Sequence, residues 1–138
     1  MISKRCKYAI KAMIFIAKNQ EKRENIFSST IALEESIPKK FLESILRDLK
    51  NGQLLKSRRG PKGGYLLNKT PEEITLTHII RLMDGPIAML PCASFNYHES
   101  CADCFDEATC EIKKVFEKIR DTALGIYNQT TLAGFIQK

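Results

Sequence analysis

Residues 37–67 read IPKKFLESILRDLKNGQLLKSRRGPKGGYLL, and the order of signals within them decides the fold. Pro38 suits the first turn of a helix, where its missing N–H costs nothing. Phe41, Leu42, Ile45, Leu46 and Leu49 then recur at i, i+1, i+4, i+5 and i+8, which gathers them into one buried stripe. The opposite face carries Lys39, Lys40, Glu43, Ser44, Arg47 and Lys50, and Asn51-Gly52 supplies the stop. Leu54 and Leu55 begin a short strand, and Tyr65-Leu66-Leu67 forms a second. Between them, Arg59-Gly60-Pro61-Lys62-Gly63-Gly64 places three glycines and one proline in six residues, the composition of a hairpin loop.

The flanking segments complete a helical framework. Toward the N-terminus, a short helix follows Ser28 and Ser29, either of which can cap it, and ends near Ser36. Before it, residues 3–19 form a helix with Ala9, Ala12, Met13, Ile16 and Ala17 on its apolar face and Lys4, Arg5 and Lys7 at its beginning. Toward the C-terminus, Thr75 caps a helix with Leu76, Ile79, Ile80 and Met83 inward and Gly85 after its end. Residues 86–107 are irregular, with Pro86 and Pro91. A long helix over residues 108–127 follows, with Ile112, Val115, Phe116, Ile119, Ala123 and Ile126 at three- and four-residue spacing. That stripe is wide for a terminal helix in so small a chain, and pairing with the same helix of a second subunit buries it. The expected fold is mainly α with a small β-hairpin wing. It comprises a winged helix-turn-helix domain over 1–85, a cysteine-rich loop over 86–107, and a dimerisation helix with its tail over 108–138.

Charge follows the same division. Residues 39–69 hold nine Lys/Arg against two Asp/Glu, a local +7, while residues 70–138 hold six against ten, a local −4. Such asymmetry fits a middle that faces a polyanion and fits a solvated basic surface equally well, so charge alone does not choose between them. A helix can fill the DNA major groove while a basic, glycine-rich loop beside it meets phosphates or the minor groove. Lys39, Lys40, Glu43, Ser44 and Arg47 on the helix, with Arg58, Arg59, Gly60 and Lys62 on the wing, are the candidate contacts to a double-stranded DNA operator.

Four of the five cysteines lie close together, as Cys92-x8-Cys101-x2-Cys104-x5-Cys110. Thiols crowded in this way form a metal-ligand pattern, for zinc or an iron–sulfur cluster. No apolar run is long enough to cross a bilayer, and the basic N-terminus lacks the features of a signal peptide. A cytoplasmic location is expected, where thiols serve as ligands or sensors more often than as disulfides. Cys6 stands apart in the first helix as a packing residue.

KYAIKAM in the first helix, FLESILRDLKNGQLL, and above all Arg59-Gly60-Pro61 followed by Gly63-Gly64-Tyr65 resemble the Rrf-two family of bacterial transcription regulators over nearly the full length. The resemblance implies a winged-helix domain, a long dimerisation helix and operator binding as a homodimer. It implies that Glu43 reads bases and that Arg59 enters the minor groove. It also implies sensing of redox, iron or nitric-oxide status through a 2Fe-2S or 4Fe-4S cluster. Cys92, Cys104 and Cys110 match the family's three cluster ligands, and Cys101 is then either a fourth ligand or a competitor of Cys104. In one branch a histidine three residues after the last cysteine completes the set, and here that position is Lys113. In another, a carboxylate of the partner's N-terminal helix does so, and residues 1–18 hold no acid. His98 is a candidate substitute, and a four-cysteine zinc site or control by a protein partner or thiol oxidation is the alternative. An enzymatic role is not expected: Cys101-Ala102-Asp103-Cys104 does not follow the strand of a βαβ unit, and no nucleophile–base pair or phosphate loop is present.

Overall fold

In the computed structural model, which describes residues 1–61 and 63–137, five helices and a hairpin enclose one core, and a sixth helix carries a largely exposed face. Lys62, expected on the wing, lies outside the described residues. The elements in order are α1 (Lys4–Asn19), α2 (Ser28–Glu34), α3 (Lys39–Asn51), β1 (Leu55–Arg58), β2 (Gly64–Leu67), α4 (Leu76–Asp84), α5 (Glu111–Gln129) and α6 (Leu132–Ile136).

The apolar stripe of α3 behaves as its spacing requires. Leu42, Ile45, Leu46 and Leu49 are buried, while Phe41 is partly buried and meets Tyr8 edge to face, with ring centroids 5.6 Å apart. On α1, Ala9, Ala12, Met13, Ile16 and Ala17 are buried against the same core. The strands pair antiparallel, with Leu55 opposite Leu67 and Arg58 opposite Gly64. The base of the hairpin is tied to the α1–α2 loop, because Tyr65 N–H donates to the Ile26 carbonyl at 2.8 Å and Leu67 N–H to Gln20 Oε1 at 3.1 Å.

Several boundaries differ from the sequence expectation. Neither Ser28 nor Ser29 caps α2: both stand within the helix, and Phe27 occupies the cap position without a side-chain bond. The Phe27 carbonyl itself takes the Thr30 and Ile31 N–H groups, so the backbone does the capping. The helix ends at Glu34, and Ser36 turns the chain at φ 55°. Pro38 stands at the cap of α3 rather than inside its first turn, and its carbonyl accepts the Leu42 N–H at 2.9 Å. At the other end, the left-handed residue is Gln53 (φ 64°) and not Gly52. Gly52 packs against α4 instead, and a Cβ there would stand 2.5 Å from a Leu82 methyl, which would have to turn aside.

The last helix begins at Glu111, three residues later than expected, because residues Glu107–Thr109 form a 3-10 turn and Cys110 takes the cap position. Residues 132–136 form a helix rather than a tail. Thr131 caps α6, and Leu132 and Ala133 are buried as α6 packs on α1. Leu132 N–H donates to the Ile74 carbonyl and Leu76 N–H to the Thr130 carbonyl, both at 2.9 Å, so the starts of α4 and α6 hold each other. Among the described residues, no helix is long and apolar enough to cross a membrane.

Candidate nucleic-acid interface and cysteine cavity

The polar face of α3 lies beside the wing. Lys39, Lys40 and Arg47 are exposed, as are Arg58, Arg59 and Gly60, whereas Glu43 and Ser44 are half-buried. Among the described residues, none of these five cations forms an ion pair within the chain. A cluster of uncompensated cations on a helix and an adjacent loop attracts phosphate at long range and leaves its donors free at contact. Gly60 opens the wing turn at φ 91°, and its carbonyl accepts the Gly63 N–H at 2.8 Å.

One basic residue of this surface is contributed by α1. Arg5 donates from Nη1 to Ser44 Oγ at 3.2 Å and pairs through Nη2 with Asp48. Ser44 is thus already engaged by a guanidinium. The Lys4-Arg5-Lys7 run was visible in the sequence as charge, but its docking against α3 depends on a contact 39 residues away, which no local pattern carries.

Cys92, Cys101, Cys104 and Cys110 all line one cavity of about 620 Å³, between the 90–110 segment and the start of α5, with Leu90, Phe105 and Ile112 as its apolar wall. Cys92 lies in the 3-10 turn Pro91–Ala93. That turn is fastened to α5 by Arg120, which donates to the Ala93 carbonyl at 2.6 Å and stacks over Phe95 at 3.6 Å. Cys110 caps α5, its Sγ accepting the Lys113 N–H at 3.4 Å. Cys101 is exposed and its Sγ–H donates to Asp103 at 2.7 Å, an interaction that raises the Cys101 thiol pKa.

A carboxylate organises the rim of this cavity. Glu107 Oε2 accepts from Lys113 Nζ at 2.9 Å and lies 3.0 Å from His98 Nε2. The Lys113 ammonium above all, then hydrogen bonds from Ser100 and His98, holds the Glu107 carboxyl down at about 2. Lys113, at the position where the sequence resemblance raised a ligand histidine, is therefore committed to an ion pair, and its own pKa is raised in return by Glu107. His98, expected as a possible ligand, is likewise turned to Glu107.

The donor set suits a thiolate-bound metal or cluster, since four thiols border one cavity and cysteine favours soft or borderline metals. The side chains are not drawn together, however: among the described residues, no three His, Cys, Asp or Glu side chains form a metal-holding group. Cys6 is distant in character. It is fully buried in α1, and burial, followed by the Asp84 carboxylate, pushes its thiol up to about 12. It stays protonated and packs as a small apolar residue.

Comparison with known proteins agrees with this architecture. Residues 2–138 match the family described as "Rrf2: Iron-dependent Transcriptional regulator". An rrf2-like HTH-type transcriptional regulator of Rhodobacter capsulatus is 40% identical over 135 residues, covering 96% of this chain and 89% of that protein. The HTH-type transcriptional regulator CymR of Bacillus subtilis is 30% identical over 131 residues, covering 95% of this chain and 86% of that protein. The solved structure of CymR, the global cysteine regulator of B. subtilis, superimposes with a TM-score of 0.81 at 29% identity, covering 99% of this chain and 96% of that one. With its helix-turn-helix, its hairpin wing and its full-length match, the chain belongs to the Rrf2 family of winged-helix transcriptional regulators, and is not an enzyme.

Proposed function

We propose that the chain regulates transcription in the cytoplasm as a homodimer that grips operator DNA and reports on redox, iron or nitric-oxide status through an iron–sulfur cluster at the cysteine cavity. The observation that carries this reading is the placement of four thiols on one cavity at the foot of α5, the helix whose apolar stripe is free to pair. Residues 1–85 act as the DNA-binding domain, 86–107 as the sensing loop and 108–138 as the dimerisation segment.

On DNA, Lys39, Lys40, Glu43 and Arg47 of α3 face the major groove, with Ser44 held back by Arg5. Arg58, Arg59, Gly60 and Lys62 form the wing's contact, Arg59 entering the minor groove as the family resemblance implies. A duplex read by two copies demands a fixed spacing between two recognition helices, so whatever orders the 86–107 loop against α5 also sets operator affinity.

When bound, an iron–sulfur cluster supplies a centre that oxidants, nitric oxide or iron loss can destroy. Cys92, Cys104 and Cys110 are the three ligands assigned, with Cys101 as the fourth donor on the same cavity. The chain's own residues decide how the loop responds: Arg120 fixes the Cys92 end to α5, and Lys113 with Glu107 fixes the Cys110 end. Cys101 and Cys104, between those two clasps, are the thiols that would be free to adjust to a bound centre. Four thiols on one cavity equally suit a structural zinc ion, and this second reading makes the site a staple rather than a sensor.

The test is made on protein purified without oxygen. Iron, sulfide, zinc and visible absorption are measured together with affinity for a DNA fragment selected from a random pool. Cys104→Ala and Cys110→Ala should abolish the chromophore, keep the fold and the dimer, and change operator affinity more than roughly tenfold, or about 1.4 kcal/mol. Colourless protein carrying stoichiometric zinc, with equal affinity in metal-loaded, metal-free and variant forms, would leave only the staple.

A further inference from the structure

Within the cysteine cavity, two thiols are related by local geometry that the other two do not share. The segment Cys101-Ala102-Asp103-Cys104 closes as a turn, with Cys104 N–H donating to the Cys101 carbonyl at 3.2 Å. A β-turn holds its first and fourth Cα atoms within about 7 Å. Disulfides span Cα separations of about 4.4–6.8 Å. Both sulfurs are free thiols that line the same cavity, and Cys101 is exposed to solvent.

The other thiols are held by contacts of their own. Cys110 is occupied as the cap of α5 by the Lys113 N–H. Cys92 sits in a turn that Arg120 fastens to α5 through Ala93 and Phe95. Among the described residues, Cys101 has no such tie to the rest of the fold, and its thiol bonds inside its own turn, to Asp103. It is also the cysteine left over once the three-ligand pattern of the resemblance is satisfied.

We propose that Cys101 is the resolving thiol of Cys104, so that a peroxide converts the pair to a reversible Cys101–Cys104 disulfide and withdraws Cys104 from the donor set. The proposal rests on the reading of the cavity as a thiolate-ligated site and names one way in which that site is switched off. The step balances. One thiol takes an oxygen atom from the peroxide, giving a sulfenic acid and water. The second thiol displaces that oxygen as another water, and the S–S bond forms. Two thiols are oxidised by two electrons, and hydrogen peroxide is reduced to two waters. The turn makes this the fastest closure available, because only two residues separate the sulfur-bearing positions.

The experiment uses the full chain, stripped of metal by chelation, reduced, and then exposed to stoichiometric hydrogen peroxide. Free thiols are alkylated, and the protein is cleaved before aspartates without reduction, which cuts between Cys101 and Cys104 at Asp103. Tandem mass spectrometry should find the fragment beginning at Asp103 joined through Cys101, and not through the Cys92 of the same 84–102 fragment, with two of the five thiols lost and restored by dithiothreitol. Cys101→Ser should instead leave a sulfenic acid at Cys104 that dimedone traps. Retention of all five thiols, or linkage of Cys104 to Cys92, to Cys110 or to another chain, would overturn the proposal.

Cobalt(II) separates this outcome from the underlying reading. The reduced chain should give a thiolate-to-cobalt absorption band, and the peroxide-treated chain, with only Cys92 and Cys110 left as thiols on the cavity, should give a much weaker one. Equal bands in both forms would show that the disulfide leaves the site intact and sink the switch. No band even in the reduced chain would count against the metal site itself, whichever cysteines pair.

Discussion

Gly64 stands at φ 118°, and a Cβ added there would lie 2.5 Å from the Ile26 carbonyl oxygen, which is backbone that cannot step aside. The wing is anchored at this contact, since Ile26 also accepts the Tyr65 N–H. Gly64→Ala should therefore destabilise the fold by about 1–3 kcal/mol, through an unfavourable backbone conformation and a clash together. Thermal unfolding of the purified variant checks this, and a wild-type midpoint would mean that the hairpin does not dock on the α1–α2 loop. A second residue-scale expectation concerns Glu107. Its folded pKa lies near 2, below the unfolded carboxylate value, so its ion pair with Lys113 contributes stability at neutral pH. That contribution is lost as pH falls from the unfolded pKa, about 4.3, through the folded one. A carboxyl carbon NMR titration should give Glu107 a midpoint near 2, moving back toward the ordinary range in Lys113→Met. An ordinary midpoint in the wild-type protein would remove this clasp from the cysteine loop.

Among the elements, the wing and α3 should serve DNA by different energetic routes. Arg59 is exposed on the wing and forms no ion pair among the described residues, whereas α3 is pinned to α1 through Arg5. An arginine inserted in a groove supplies charge and directed hydrogen bonds, so Arg59→Ala should weaken operator binding by about 1–3 kcal/mol. Gel-shift titration of a matched operator checks this, and unchanged affinity would take the wing out of the mechanism. Local periodicity made these elements legible. The five apolar positions of α3 and the glycine-rich hairpin follow from nearest-neighbour rules, and four of those five are fully buried. What the sequence concealed is long-range. Helix α6 is five residues long and contains Gly134, too short for a periodic signal, and its burial depends on α1 and on the start of α4. The late start of α5 was hidden because a cysteine sulfur, a weak acceptor, caps it. The four cysteines were legible as a ligand pattern, but their sharing of one cavity, the pairing of Lys113 with Glu107 and the turning of His98 toward the same carboxylate required the fold.

At the scale of the molecule, the most consequential surface is the free face of α5. Ile112, Val115, Ile119 and Ile126 are 62%, 54%, 43% and 60% exposed, though they repeat at helical spacing. Beside Ile119 runs an apolar groove of about 540 Å³, walled by Met1, Ile2, Met89 and Ile87. Fully burying one such aliphatic side chain stabilises by about 1.5–3 kcal/mol, and a two-fold pairing buries each position twice. A glutamate at Ile119 places an unpaired carboxylate in that seam, at a cost that can reach several kcal/mol. Ile119→Glu should sediment as a monomer with unchanged helical content, and should lose the operator while keeping weak, salt-sensitive binding to any duplex. Lys118→Glu, exposed on the neighbouring flank of the same helix, changes the charge by more and should stay dimeric. That contrast separates loss of the apolar seam from general electrostatic repulsion. If Ile119→Glu remained a dimer with full operator affinity, α5 would not join the subunits, and the link from cysteine loop to recognition-helix spacing would have to run through another surface.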